Sequence, residues 1–209
     1  MSGHEPAIWV LILAAGRSRR MGVPKQLLPI HGESLLRRVA RNVSAVPGLA
    51  AAVVGTDDPD MKAECADLPL RWIVNPNPDE GLSGSIRAGT AEAQAHGADA
   101  VMIVLGDQPD LSPAVLALVR DAYRSRPAPI LQTRYAGGRP GHPVLFDRSM
   151  FGELLQLKGD AGAKALIERR KADVAPIEAA APPPVDLDTW EDYERYIHGS
   201  CSERREGRA

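Results

Sequence analysis

Three separated stretches carry residues that could handle phosphates. The first is residues 13–22, reading LAAGRSRRMG, followed by Pro24 and Lys25. A loop leaving a strand can turn successive backbone N–H groups into one concavity, and such a nest binds phosphate oxygens. Within it, Leu13, Ala14, Ala15 and Gly16 line the turn, and Gly16 lets the backbone approach a nucleotide without a Cβ in the way. Arg19 and Lys25 add positive charge; a guanidinium can grip two phosphate oxygens at once. The same residues would also serve as a surface turn with solvated arginines. Two common nucleotide loops are excluded. Ser18 stands where G-x-G-x-x-G needs its second glycine, and no Gly-Lys-Ser/Thr follows for a Walker A loop.

The second stretch is Gly106, Asp107, Gln108 and Pro109, at the end of an apolar run. An aspartate there offers its carboxylate to a crevice, and Mg²⁺ binds through one or two carboxylates plus substrate phosphates. A plain Gly-Asp turn reads the same way. The third holds Asp186, Leu187 and Asp188, then Thr189, Trp190, Glu191 and Asp192. Asp188 either supplies a second carboxylate or caps the helix that follows. Combined with the loop, Asp107 and Asp188 make a coherent metal-and-triphosphate site.

Such residues need a scaffold that brings them together. Residues 7–15 (AIWVLILAA) form an apolar run that reads as a buried parallel strand. The preceding MSGHEP has no Lys or Arg, and so short a run cannot span a bilayer as a helix. Neither a signal peptide nor a membrane span is therefore expected. Further strands are predicted at 49–54, 71–74 and 100–105, alternating with helices at 34–46, 83–95 and 113–123. Alternation of this kind predicts an α/β fold: a three-layer, Rossmann-like α/β/α arrangement with a mostly parallel central sheet. Ligands bind beyond the carboxyl ends of such strands. The loops at 16–22, 75–85 and 106–109 are thus expected to converge.

The pattern loosens after Arg126. Strands at 129–133 and 143–146 flank a glycine-rich stretch at 136–142, helices are predicted at 149–158 and 161–171, and a last strand at 173–177. AAAPPP at 179–184 is a stiff connector. A helix at 190–197, with Thr189 as a cap, precedes a polar stretch at 200–209 that is expected to be disordered. One domain over 1–199 follows, with about 1–126 binding the nucleotide and about 127–199 binding the second substrate and holding the second acidic group.

Composition narrows the partners. With 209 residues and a net charge of −2, the chain has neither the basic surface of a nucleic-acid binder nor an acidic tail. Phosphate binding must then be local. Aromatics are only 4%, so the core rests on Ala, Val, Leu and Ile. Two distant cysteines, Cys65 and Cys201, make neither a disulfide framework nor a zinc site and fit a reducing cytoplasm. No nucleic acid and no membrane is expected among the partners.

Residues 13–22 with Pro24 and Lys25 resemble the signature of the MobA-like NTP transferases. The similarity extends to about Ile197 and is greatest to the molybdenum cofactor cytidylyltransferase branch (CTP:molybdopterin cytidylyltransferase). The resemblance implies a nucleotidyltransferase fold and a role for each further stretch. Ala15, where the guanylyltransferase branch usually has Gly, implies CTP rather than GTP. The stretch 75–86 is similar to the segment holding base and ribose, which raises Gly81 and Ser85. The sequence at 186–192 resembles D-x-D-T-P-E-D, whose second acidic residue, here Asp188, completes the Mg²⁺ site with Asp107; Trp190 replaces the usual Pro. Gly141, His142 and Pro143 with Arg139 are similar to the G-x-P-G-H-P stretch where the acceptor docks. His142 has no second His at metal-ligand spacing, so it is read as a hydrogen-bonding residue. Residues 158–163 resemble a further segment that covers the acceptor, and Asp160 could equally cap a helix.

The implied reaction is in-line attack by the terminal phosphate of a molybdopterin-type acceptor on the α-phosphorus of CTP, with pyrophosphate leaving. Catalysis of this kind is mostly positioning and charge stabilisation, assigned here to Lys25, Arg19 and Asp107 with Mg²⁺, for which Mn²⁺ is a substitute. The partner implied beyond the substrates is a molybdenum hydroxylase apoenzyme that receives the product. Three other readings stand beside this one: a transferase acting on methylerythritol phosphate or a sugar phosphate, a GTP-using enzyme, and a non-catalytic cofactor carrier for which Asp107 and Asp188 would be dispensable.

Overall fold

The computed structural model describes residues 5–16, 21–160 and 162–206, with side chains as far as Gly199. Its elements run β1 (Ile8–Leu13), the short hairpin β2 (Pro29–Ile30) and β3 (Glu33–Ser34), α1 (Leu35–Ser44), β4 (Leu49–Gly55), α2 (Pro59–Ala63) and β5 (Leu70–Val74). Then come α3 (Gly81–Ala95), β6 (Ala100–Leu105), α4 (Pro113–Ser125), β7 (Ile130–Tyr135) and β8 (Arg139–Asp147). The last are α5 (Phe151–Leu154), α6 (Lys164–Arg169), β9 (Val174–Glu178) and α7 (Trp190–Glu206).

Among the described residues, seven strands form one sheet in the order β5-β4-β1-β6-β8-β7-β9. β5, β4, β1 and β6 are mutually parallel, β8 runs against both β6 and β7, and β9 is parallel to β7. Successive side chains on a strand point to opposite faces, and β1 is buried on both. Ile8, Val10 and Ile12 pack with Leu36 and Val39 of α1 and Leu116 and Val119 of α4. Trp9, Leu11 and Leu13 pack with Ile86 and Ala93 of α3, Leu154 of α5 and Leu166 of α6. The result is the mostly parallel α/β/α sandwich that the sequence predicts. Ser34 caps α1, its hydroxyl accepting from the Arg37 amide, and Ser112 caps α4 with Pro113 in the first turn. No helix among the described residues is long and apolar enough to cross a membrane.

The departures fall mainly after β6. The helices expected at 149–158 and 161–171 are reduced to α5 and α6. Gly159 and Gly162 between them have φ of +76° and +55°, left-handed backbone that interrupts a helix. The glycine-rich stretch is not a loop throughout. Its turn is confined to Ala136–Gly138, and β8 already begins at Arg139, paired with Tyr135. The helix after the connector runs on to Glu206. Helix α2 and the β2–β3 hairpin have no counterpart in the sequence reading.

Candidate active site

The site lies beyond the carboxyl ends of β1, β5 and β6, where the expected loops do converge. A cavity of about 600 Å³ is lined by Ala15 and Gly16 after β1, Gly81 and Ser85 at the start of α3, and Gly106 and Asp107 after β6. Close packing holds the loops in place. Gln26, nearly fully buried, donates from Nε2 to the carbonyls of Ala14 and Gly16, both at 3.1 Å. Two carbonyls of the first loop are thereby satisfied from behind. Gly106 sits against β1, and a Cβ there would lie 2.9 Å from the Leu13 carbonyl. Asn75 donates to the Ser85 hydroxyl at 3.1 Å and accepts from the Asn77 amide at 2.9 Å, which ties the loop after β5 to α3.

Asp188 reaches this cavity through an alternating chain. Leu187 is fully buried beside Met21, Ile30, Leu35 and Tyr193. Burial of such a leucine stabilises by about 1.5–3 kcal/mol. Its amide donates to the Asp107 carbonyl at 3.2 Å. In extended chain the neighbours of an inward residue face the other way, and both Asp186 and Asp188 line the cavity. The cap of α7 is made by other residues. Thr189 Oγ1 accepts from the Asp192 amide, and the Asp192 carboxylate accepts from the Thr189 amide and hydroxyl, the reciprocal pattern of a capping box. Asp188 is left to pair with Lys25. Trp190, in place of the usual Pro, donates its indole N–H to the Met21 carbonyl at 3.1 Å.

Lys25 Nζ bridges the two carboxylates, at 2.6 Å from Asp107 Oδ2 and 2.9 Å from Asp188 Oδ1. Burial works to lower the pKa of this ammonium, but the charge of Asp107 and its hydrogen bonds to Asp107 and Asp188 outweigh burial and raise it. Lys25 therefore stays charged. It is the one cationic side chain among the described lining residues, facing Asp79, Asp107, Asp160, Asp186 and Asp188. Such a cavity accepts a triphosphate only with further positive charge. The second oxygen of Asp107, Oδ1, is buried and has no hydrogen-bond partner among the described residues. Among the described residues no group of three or more His, Cys, Asp or Glu side chains could hold a metal. Two carboxylates and an orphaned oxygen fit Mg²⁺ or Mn²⁺, hard ions that take one or two carboxylates and complete their shell with phosphate and water. They do not fit a closed structural metal site.

A second cavity of about 420 Å³ adjoins the first, and Leu13, Leu82, Leu105 and Asp186 line both. Its walls include Gly141 and His142 of β8 and Gly162, Ala163 and Lys164 of the segment after α5. His142 Nδ1 donates to the Ile103 carbonyl at 3.3 Å. Burial lowers the imidazole pKa more than the Ile103 carbonyl and the carboxylates of Asp186 and Asp107 raise it, so the ring is neutral. Asp160 lines the first cavity and is pressed against Gly81, leaving no space for a Cβ there.

The predicted site residues thus divide. Leu13, Ala15, Gly16, Lys25, Gly81, Ser85, Asp107 and Asp188 line the first cavity, and Gly141 and His142 line the second. Ala14 is buried behind the loop and contributes its backbone. Arg139 is exposed and lines neither cavity, and Pro143 is buried with its carbonyl accepting from Thr133 Oγ1 at 2.7 Å. Arg19 lies outside the described residues. Sequence reasoning missed Gln26, Gln108 and Asp186, and it set Asp160 with the segment over the acceptor, whereas Asp160 lines the first cavity. Asp186 had a signal, since it repeats Asp188 two residues earlier on the same face of an extended chain.

Residues 10–174 match the family model described as the MobA-like NTP transferase domain. The chain belongs to this family. It is a nucleotidyltransferase by membership. The nicotine blue oxidoreductase of Paenarthrobacter nicotinovorans is 31% identical over 79% of this chain and 83% of its own length. A probable molybdenum cofactor guanylyltransferase of Synechococcus elongatus is 33% identical over 56% of this chain and 59% of its own length. Among solved structures, the Rv0371c protein of Mycobacterium tuberculosis, crystallised in complex with manganese, superposes with a TM-score of 0.76 at 30% identity, covering 92% of this chain and 98% of that one.

Proposed function

We propose that this transferase moves CMP from CTP to the terminal phosphate of a molybdopterin-type acceptor and releases pyrophosphate. The observation that carries the reading is the pair of adjoining cavities with the Lys25–Asp107–Asp188 cluster in the first of them. Two substrates then meet at one charged centre. Ala15 in the first loop supports CTP over GTP, and the Gly141–His142 wall of the second cavity supports the acceptor; both arguments are carried over from family resemblance.

Each protein group has a definable task. Gln26 holds two carbonyls of the first loop from behind, so that its amides can serve phosphate oxygens. Lys25 neutralises charge on the α-phosphate and the departing pyrophosphate after exchanging a carboxylate for a phosphate oxygen, and Arg19 shares that task. Asp107 and Asp188 would hold Mg²⁺ or Mn²⁺, which supplies charge neutralisation on phosphate oxygens when bound. A phosphate monoester is already a nucleophile at neutral pH, so no side chain need remove a proton. The reading places turnover in the cytoplasm and hands the product to a molybdenum hydroxylase apoenzyme.

The test is pyrophosphate release by purified protein given each NTP in turn with Mg²⁺ and molybdenum cofactor. Release with CTP alone is the expected result. Release only with GTP overturns the nucleotide, and release only with methylerythritol phosphate or a sugar phosphate overturns the acceptor. Absence of turnover with every acceptor would favour a carrier.

A further inference from the structure

Gln108 follows Asp107 but turns to the other cavity. It is 5% exposed and lines the second cavity. Its Nε2 donates to Asp186 Oδ1 at 2.7 Å. Because a carboxylate only accepts, this bond fixes which end of the amide carries the oxygen. That oxygen, Oε1, is buried and has no partner among the described residues. An acceptor closed off from water and left unpaired is costly, about 1–3 kcal/mol, and such a group calls for a reason, a functional role among them. The second cavity is the open space that Gln108 borders.

The surroundings say what the ligand must bring. Nδ1 of His142 is spent on the Ile103 carbonyl, which leaves Nε2 of the neutral ring as an acceptor. Asp186 accepts only, and Gln108 has used one amide hydrogen on it. This end of the cavity therefore calls for donors. The rest of the wall is mainly apolar, with Leu82, Ile86, Val144, Phe146 and Ile167 beside the polar Gln132, Lys164 and Glu168, and its apolar part suits a flat ring.

We propose that Gln108, braced by Asp186, is a specificity-determining residue whose Oε1 accepts a hydrogen bond from a ring N–H of the acceptor molecule. The cavity then selects a nitrogen heterocycle with an amide-like N–H edge, such as a 2-amino-4-oxo pteridine, over a sugar or polyol phosphate. This rests on the acceptor role given above to the second cavity. A site built to pair with a donor rejects analogues lacking it far more strongly than a purely apolar pocket would.

The probe is 6-hydroxymethylpterin, titrated against the full chain by fluorescence without nucleotide or metal, so that the readout does not depend on transfer. Saturable binding is expected. N3-methylation of the pterin should weaken binding about tenfold or more, a result that needs only the wild-type protein. Gln108→Met keeps the shape and removes both polar ends. It should bind pterin at least about tenfold more weakly, lose discrimination against the methylated ring, and leave the Kd for CTP unchanged. Asp186→Asn frees the amide to turn over and should also reduce that discrimination. Failure of wild-type protein to bind pterin, or equal binding of the two pterins, overturns the proposal. Should pterin bind as expected while molybdenum cofactor supports no pyrophosphate release, the transfer reading fails and the role of Gln108 stands.

Discussion

The two cavities share a wall yet are built in opposite ways. The first rests on parallel strands, and among the described residues it sets Lys25 beside Asp79 and Asp107, from the loops after β5 and β6, and beside Asp160, Asp186 and Asp188 from later segments. The second rests on antiparallel β8 and on the chain around α6, and most of its lining side chains are apolar. One side is organised by charge, the other by shape and a few acceptors. Substitutions at the first should act on rate and metal binding, and substitutions at the second on the choice and affinity of the acceptor.

The largest effect that could break this contrast is at the charged centre. Asp107→Asn is expected to lower kcat/KM on the order of 10³-fold and Lys25→Met about 10²-fold, with thermal unfolding little changed. Mn²⁺ binding, followed by its paramagnetic resonance signal, should weaken in the Asp107 variant. If either variant loses acceptor affinity instead of rate, the division between the cavities is wrong. Next comes Gly81, whose φ of +64° and whose contact with Asp160 leave no room for a side chain. Gly81→Ala should destabilise the fold by about 1–3 kcal/mol and raise the KM for nucleotide while leaving pterin binding intact.

Two smaller effects sharpen the contrast. Trp190→Phe removes the indole bond to Met21 and should cost about 1 kcal/mol, a drop in Tm of roughly 2–4 °C. In the wall of the second cavity, burial depresses the pKa of His142 below its ordinary 6.5. The unfolded chain then binds the proton more readily than the folded one. The associated stability is fully present above 6.5 and is lost as pH falls through that value toward the lower folded one. Urea denaturation from about pH 7.5 to about pH 5 should show this slope, and His142→Gln should flatten it.

The same division governs how much the sequence reveals. Around the first cavity, continuous apolar strands end in glycine and aspartate, and each signal is local. β6 has the bounds its apolar run predicts, and Lys25, Asp107 and Gly16 meet as their chemistry requires. Around the second cavity the deciding forces are not local. β8 extends back to Arg139 because β6 and β7 supply hydrogen-bonding partners that no neighbouring residue announces. Gly159 and Gly162 interrupt a stretch whose apolar spacing looks helical. Gln26, Gln108 and Asp186 escaped notice for a related reason. Each acts through a bond to a residue at least ten positions away, and a polar residue alone does not disclose its partner.

The bond from the Leu187 amide to the Asp107 carbonyl has a consequence in time. Asp107 leaves the ribosome well before Asp188, so a nascent chain can complete the parallel strands while its acidic centre is still half made. Only when the strap carrying Leu187 seats itself does the second carboxylate arrive. A nick within the proline connector should therefore uncouple architecture from chemistry, leaving a protein that keeps its parallel strands but not the second carboxylate beside Lys25.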